Sequence, residues 1–124
     1  PEVLDPIERV REPFNVNTLA QVAAAAALGD TEHIERTRAF NRAGLEYLQR
    51  ACERLGLRAV PSQANFLLIE VGCECARIQK RLLERGVLVR TGEVFGMPTY
   101  LRVNTGTPEQ NERFIEALQY ALHE

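Results

Sequence analysis

Apolar residues recur at two spacings along the chain, and the spacing separates predicted helices from predicted strands. A three-to-four-residue period predicts a helix, and a two-residue period predicts a half-buried strand. With glycine, proline and capping residues as boundaries, the order is α-α-β-β-α-β-β-α. The predicted helices cover residues 18–28, 31–55, 73–85 and 108–122, and the predicted strands cover residues 57–60, 66–71, 87–90 and 100–104. Residues 1–14 are predicted to be irregular, apart from one helical turn over residues 7–11.

Three of these segments allow more detailed predictions, two about burial and one about a helix start. Residues 66–71 are almost all apolar, which predicts a strand that is buried on both faces. The third helix is expected to turn Ile78, Leu82 and Leu83 inward. The last helix has a strong start, because Thr107 provides a cap and glutamine follows three residues later.

The element order predicts an α+β fold. Helices packed on one face of a small, mostly antiparallel sheet form a two-layer sandwich, here preceded by an N-terminal helical segment. We therefore expect residues 1–29 to form that segment with a connecting helix, and residues 30–124 to form the sandwich domain. A fold of this kind does not by itself indicate a function.

Composition narrows the classes of function. The chain has 124 residues, of which 45% are hydrophobic, and its net charge is −2. This charge predicts no nucleic acid or membrane partner. The three cysteines, an odd number, exclude a disulfide scaffold and fit a reducing cytoplasm. Because the chain opens on Pro1 rather than methionine, we expect it to be a piece of a longer protein.

Two arginines are the strongest candidates for a binding site. In the strand 100–104, Leu101 and Val103 share one face, so Arg102 projects from the other. Arg90 closes the preceding strand and points outward by the same alternation. A guanidinium on a rigid strand suits bidentate binding of a carboxylate or phosphate. From spacing alone, each arginine could equally pair with a glutamate, or Arg90 could simply end a strand.

Other reactive residues are interpreted as structural or solvent-exposed. Lys80 is the single lysine and is predicted to face water, so the chain alone offers no lysine for covalent chemistry. Cys73 and Cys75 lack the paired ligand spacing of a zinc site, and no metal site is predicted. His33 and His123 form no triad arrangement and are expected at the surface. No catalytic residue is predicted within the chain.

The start of the last helix leaves one alternative open. Gly106, Thr107 and Pro108 precede a helix whose first amides could hold an anion. The favoured interpretation is an ordinary helix cap that needs no ligand.

Four phrases resemble one known family in their order and spacing. They are VREPFNVN at residues 10–17, PSQANFLL at 61–68, RGVLVR at 85–90 and YLRVNTGTPEQN at 100–111. The last two are the most specific. Together they resemble the C-terminal part of the histidinol-phosphate aminotransferase family, within the fold-type I, class I/II pyridoxal-phosphate aminotransferases. The resemblance covers essentially the whole chain from residue 7.

The resemblance implies a role within a larger enzyme. The parent would exchange an amino group between glutamate and imidazole-acetol phosphate, giving 2-oxoglutarate and histidinol phosphate in histidine biosynthesis. It would be a cytoplasmic homodimer, with pyridoxal phosphate held on a lysine of a large domain upstream of Pro1. Arg102 would bind the substrate anion and Arg90 would assist it. This chain would be the small domain, would bind no cofactor and would be inactive alone.

Two other interpretations remain open from the sequence. The chain could be a stand-alone α+β module that binds a ligand without catalysis. It could also be an interaction domain that docks through the alanine-rich helix over residues 18–28. Related aminotransferases for phenylalanine, tyrosine or threonine phosphate share the scaffold, so the keto acid is left open.

Overall fold

The structure is a computed structural model that describes residues 3–12 and 14–123. The chain separates into two compact units, residues 1–35 and residues 36–124. The functional boundary expected after residue 29 stays a prediction.

The first unit contains α1 (Leu4–Val10), α2 (Thr18–Ala27) and the start of the helix that follows. The expectation of an irregular start is wrong for residues 4–10, because Pro6 lies in the first helical turn, where its missing N–H has no helical acceptor. Prolines 1 and 13 lie outside the described residues. The predicted cap of α2 is confirmed: the Asn17 side chain accepts a hydrogen bond from the Ala20 amide at 2.9 Å.

The remaining elements follow in the predicted order. They are α3 (Thr31–Arg54), β1 (Arg58–Val60), β2 (Phe66–Glu70), α4 (Cys75–Glu84), β3 (Arg90–Thr91), a short 3₁₀ helix (Glu93–Phe95), β4 (Tyr100–Asn104) and α5 (Pro108–His123). The strands form one antiparallel sheet in the order β1-β2-β4-β3. The predicted α+β class with a small antiparallel sheet is confirmed.

One face of the sheet packs into the core, and the pleat decides which residues point there. Leu67 and Ile69 of β2 and Leu101 and Val103 of β4 are buried. They pack with helix residues that include Leu48, Ile78, Leu82 and Leu118. The other face of the central strands carries half-buried side chains, among them Phe66 and Leu68. The expectation that residues 66–71 are buried on both faces is therefore wrong, because alternate side chains of β2 are only half-buried.

Two local predictions on the α4–β3 segment also need correction. Cys75, Ile78 and Leu82 are fully buried, whereas Leu83 is 57% exposed. Leu83 lies about 100° around the helix from Leu82, outside the buried stripe. The strand expected over residues 87–90 pairs only at Arg90 and Thr91. The side chains of residues 87–90 still alternate between exposed and more buried positions.

The start of α5 is the predicted capping box. The Thr107 amide donates to Gln110 Oε1 at 2.9 Å, and the Gln110 amide donates to Thr107 Oγ1 at 3.3 Å. The reciprocal bonds satisfy two backbone donors that the helix itself cannot satisfy. Glu109 also lies in this turn, where the hydrogen bonds from its own amide and from Thr107 lower its pKa.

We expect Thr107→Ala to lower the free energy of unfolding by about 1 kcal/mol, because the cap is lost. Urea unfolding followed by circular dichroism measures the change. Thr107→Ser keeps a hydroxyl at the same place and serves as the control. An equal loss in both variants would contradict a role for the Thr107 hydroxyl.

Cys52 lies fully buried on α3, and this burial should affect the pKa and the reactivity of its thiol. Burial, with a smaller contribution from Glu53, raises the pKa of the Cys52 thiol to about 11. The unfolded chain releases this proton at lower pH, so ionisation favours unfolding as the pH rises toward 11. At pH 8, we expect iodoacetamide to modify half-buried Cys73 well before Cys52, as read by mass spectrometry of peptides. Equal rates in the folded protein would contradict this expectation.

Candidate functional site

The two predicted arginines lie side by side on the open face of the sheet. Arg90 of β3 and Arg102 of β4 are direct partners in the antiparallel register, so their side chains leave the same face. Arg102 is half-buried and Arg90 is exposed. The strand alternation thus brings the two cations together, as the sequence predicted.

Arg102 is held in place without being neutralised. Its guanidinium carbon lies 4.2 Å from the centre of the Phe66 ring, on the neighbouring strand β2. This stacking restrains the guanidinium while leaving its edge available for hydrogen bonds. The Nε atom of Arg102 is buried and has no hydrogen-bond partner among the described residues. A buried donor without a partner is costly, so this atom marks a place for an acceptor.

Neither arginine forms an ion pair with a carboxylate within residues 3–12 and 14–123. The Arg90 guanidinium carbon instead lies 5.6 Å from the centre of the Phe95 ring. The nearby carboxylate of Glu70 has another partner, because Arg58 Nη1 lies 3.7 Å from its Oε2. The alternative in which each arginine pairs with a glutamate is therefore absent from the described part of the chain.

Both arginines line a pocket of about 550 Å³, called here the arginine pocket. Its polar lining also includes Gln79, Asn104, Gln110 and Asn111. No acidic side chain is among the described residues that line it. Two cations with neutral neighbours give an electropositive site of a size that accommodates a small organic anion.

Two amide side chains fix the backbone around this pocket. Gln79 Nε2 donates to the Val89 carbonyl at 2.8 Å, which ties the segment before Arg90 to α4. Asn111 is only 4% exposed and bonds twice to Gly106, through its Oδ1 at 2.9 Å and its Nδ2 at 3.1 Å. These bonds position the pocket walls on rigid elements, as a recognition site requires.

Hydrogen bonds at the start of α5 decide between a helix cap and an anion site. The amides of Gly106, Thr107 and Gln110 all donate to side chains of this turn, and the Asn111 amide donates to the Thr107 carbonyl. The interpretation as a helix cap is confirmed, and few free amides remain there for an anion.

Beside the arginines, Tyr100 and Glu70 form a separate polar contact on the same face. They are direct partners across β4 and β2. The hydrogen bond to Glu70 raises the pKa of the Tyr100 phenol, with burial adding to the effect. The Glu70 carboxylate therefore contacts both Tyr100 and Arg58.

The other candidate residues are not among the described residues that line the arginine pocket. Lys80 is exposed on α4, Cys75 is buried at the first position of that helix and Cys73 is half-buried just before it. His33 and His123 are exposed on α3 and α5. Among the described residues, no group of three or more histidine, cysteine, aspartate or glutamate side chains could hold a metal ion. No helix in the same part of the chain is long and apolar enough to cross a bilayer.

Sequence reasoning missed Phe66, Gln79 and Asn111. Phe66 depends on a long-range relation, because it lies beneath Arg102 only through the pairing of β2 with β4 in this register. Gln79 and Asn111 were hidden in helices whose polar positions usually face water. A local signal existed for Asn111, because it directly follows the capping residue Gln110 in the sequence.

Comparison with known proteins shows which family the chain belongs to. The family model described as aminotransferase class I and II matches residues 1–118. Histidinol-phosphate aminotransferase of Symbiobacterium thermophilum is 56% identical over all 124 residues, which cover 34% of that protein. The Moorella thermoacetica protein of the same name is 49% identical over 98% of this chain and 32% of its own length.

A solved structure shows the same fold. Histidinol-phosphate aminotransferase from Sinorhizobium meliloti, solved with pyridoxal-5′-phosphate, matches with a TM-score of 0.78 at 21% identity. The match covers 94% of this chain and 33% of that structure. The chain spans about a third of the length of the curated relatives it matches. Because the family model extends over nearly all of its residues, the chain belongs to the class I and II aminotransferase family.

Proposed function

We propose that the chain is the small, C-terminal domain of a histidinol-phosphate aminotransferase, and that Arg102 and Arg90 bind the substrate anion there. The observation that carries the proposal is the buried Nε of Arg102, which has no hydrogen-bond partner among the described residues and lies one strand away from Arg90. Similarity to proteins of that name supports the choice of substrate. In the parent, glutamate and imidazole-acetol phosphate exchange an amino group in histidine biosynthesis.

The arginine pair contributes binding and orientation. Arg102 donates through Nε and its terminal nitrogens to the carboxylate or phosphate of the substrate, because its guanidinium plane is already held against Phe66. Arg90 is exposed and adds a second positive charge from the strand edge. Fixing the anionic end fixes the direction of the reacting carbon, which is a positioning effect on the rate. The two arginines also favour acids over neutral amines.

The residues of this chain do not fit the cofactor of the family. Pyridoxal phosphate supplies an electron sink when it is bound to a lysine. The single lysine, Lys80, is exposed on α4 and is absent from the lining of the arginine pocket. The cofactor would be held by residues of a large domain, and we expect this chain alone to bind none and to catalyse no transamination.

The proposal includes the surroundings of the parent enzyme. A missing large domain and a second subunit, in a cytoplasmic homodimer, would complete the active site. The substrates would be small molecules, with no nucleic acid and no membrane involved. The net charge of −2 supports this, since no basic field draws polyanions.

A chimera tests the function directly. This chain replaces the matching third of the Symbiobacterium enzyme, to which it is 56% identical. The expected result is transamination between histidinol phosphate and 2-oxoglutarate, with kcat/KM within about tenfold of that enzyme, because most buried contacts are preserved at this similarity. The isolated chain, assayed with added pyridoxal phosphate, provides the comparison.

Two outcomes would contradict the proposal. One is a folded chimera that binds the cofactor but does not transaminate histidinol phosphate. The other is a chimera that transaminates only an aromatic amino acid or aspartate, which would keep the family and overturn the substrate. Cofactor absorbance, measured on the same samples, separates these results from misfolding.

A further inference from the structure

A second electropositive site lies in a groove between α3 and the turn that leads into β2, next to the arginine pocket through Thr105, which bonds to Asn41. The groove has a volume of about 680 Å³, and it shares no lining residue with the arginine pocket. We call it the polar groove. It is lined by Arg38, Asn41, Arg42, Leu45, Ser62, Gln63, Ala64 and Asn65.

The charges of the polar groove are all of one sign. Arg38 and Arg42 are exposed and stand four residues apart on α3, which puts them on the same side of the helix. Neither has an ion-pair or hydrogen-bond partner among the described residues. No acidic residue is among the described residues of the lining. Arginines on helix surfaces are commonly paired with glutamates at this spacing, as Arg50 is with Glu46 at 3.2 Å.

The neutral side chains of the groove supply further donors. Asn41 uses its Oδ1 to accept from Thr105 Oγ1 at 2.9 Å, so its Nδ2 group is left to donate. Ser62 Oγ accepts from the Ala64 amide at 3.1 Å, which leaves its hydroxyl hydrogen available. These internal bonds fix both side chains at the edge of the groove. The lining therefore offers hydrogen-bond donors around two cations that have no ion-pair partner in the described part of the chain.

We propose that the polar groove binds a phosphate monoester through Arg38 and Arg42. A phosphate carries two charges on one compact group, which matches two guanidiniums one helical turn apart. A dicarboxylate of equal charge spreads its two groups and fits such a pair less well. The volume leaves room for an organic body, and the amide and hydroxyl groups of Ser62, Gln63 and Asn65 suit a polar one. This inference does not rest on the proposed transamination.

Titration with inorganic phosphate tests the site on the 124-residue chain, with Arg102→Gln as the background so that the arginine pocket does not compete. Nitrogen-15 NMR follows the side-chain amides of Gln63 and Asn65. Saturable shifts are expected at these signals. The double variant Arg38→Gln/Arg42→Gln should weaken phosphate binding by about tenfold or more, through loss of two charged donors. Glutamine favours helix, so α3 is expected to persist, as circular dichroism checks.

The control removes the same charge elsewhere. Arg54→Gln/Arg77→Gln changes two exposed arginines outside the polar groove, and we expect phosphate affinity to stay within about twofold. Equal weakening by both double variants would show a diffuse charge effect and overturn the site. Shifts that do not saturate would also overturn it. Binding of succinate as tight as phosphate would overturn the phosphate assignment.

Discussion

Replacing Arg102 by glutamine in the chimera should lower kcat/KM for histidinol phosphate by about 100-fold or more. The physical reason is that the anion loses a bidentate, charge-assisted contact, while the rest of the site is unchanged. Glutamine keeps much of the side-chain length and lacks the charge. Steady-state kinetics at several concentrations of histidinol phosphate provide the measurement.

The matched control is Arg58→Gln. Arg58 leaves the same face of the sheet, two strands away from Arg102, and its carboxylate contact with Glu70 is long and mostly exposed. Such a pair contributes little, so kcat/KM should change less than about threefold. A loss below threefold for Arg102→Gln would remove Arg102 from the site. An equal loss in the two variants would assign the effect to overall charge.

Leu82→Ala should lower the free energy of unfolding by about 2–5 kcal/mol. Leu82 is fully buried in the core between α4 and the sheet, and alanine there leaves a cavity. A domain of this size has a total stability of about 5–15 kcal/mol, so the variant should unfold at clearly lower urea concentration.

The neighbouring residue gives a control with the same chemistry. Leu83 is 57% exposed on the same helix, and Leu83→Ala should cost less than about 1 kcal/mol. The two substitutions have identical effects on helix propensity, so the difference between them measures burial alone. Similar losses would contradict the placement of Leu83 outside the core.

The sequence predicted best where local signals agree. For β4, strict alternation gave both the strand and the outward direction of Arg102. For α5, the threonine cap, the proline and the glutamine together located the first turn. These signals lie within a few neighbouring residues, and tertiary packing reinforces them rather than opposing them.

The remaining features depend on which segments meet in space. The stretch 66–71 looks like a strand buried on both faces, yet alternate side chains of β2 are only half-buried. Leu83 is apolar but lies just beyond the buried stripe of α4. The stacking of Arg102 on Phe66 required the pairing of β2 with β4, which nothing local specifies.

The polar groove also depends on segments that are far apart in the sequence. Arg38 and Arg42 read as ordinary solvent-facing positions of a long helix, because the turn at residues 61–65 lies far away in sequence. Only the fold brings the turn's hydroxyl and amide groups next to them.

Recognition of the substrate anion by Arg102 is tested most directly by the ratio of kcat/KM for histidinol phosphate to that for histidinol, which has the same amine and imidazole but no phosphate. In the chimera, Arg102→Gln should reduce this ratio by about tenfold or more, because only the phosphorylated substrate loses a contact. A ratio that is unchanged while both activities fall together would contradict the claim and assign Arg102 a structural role.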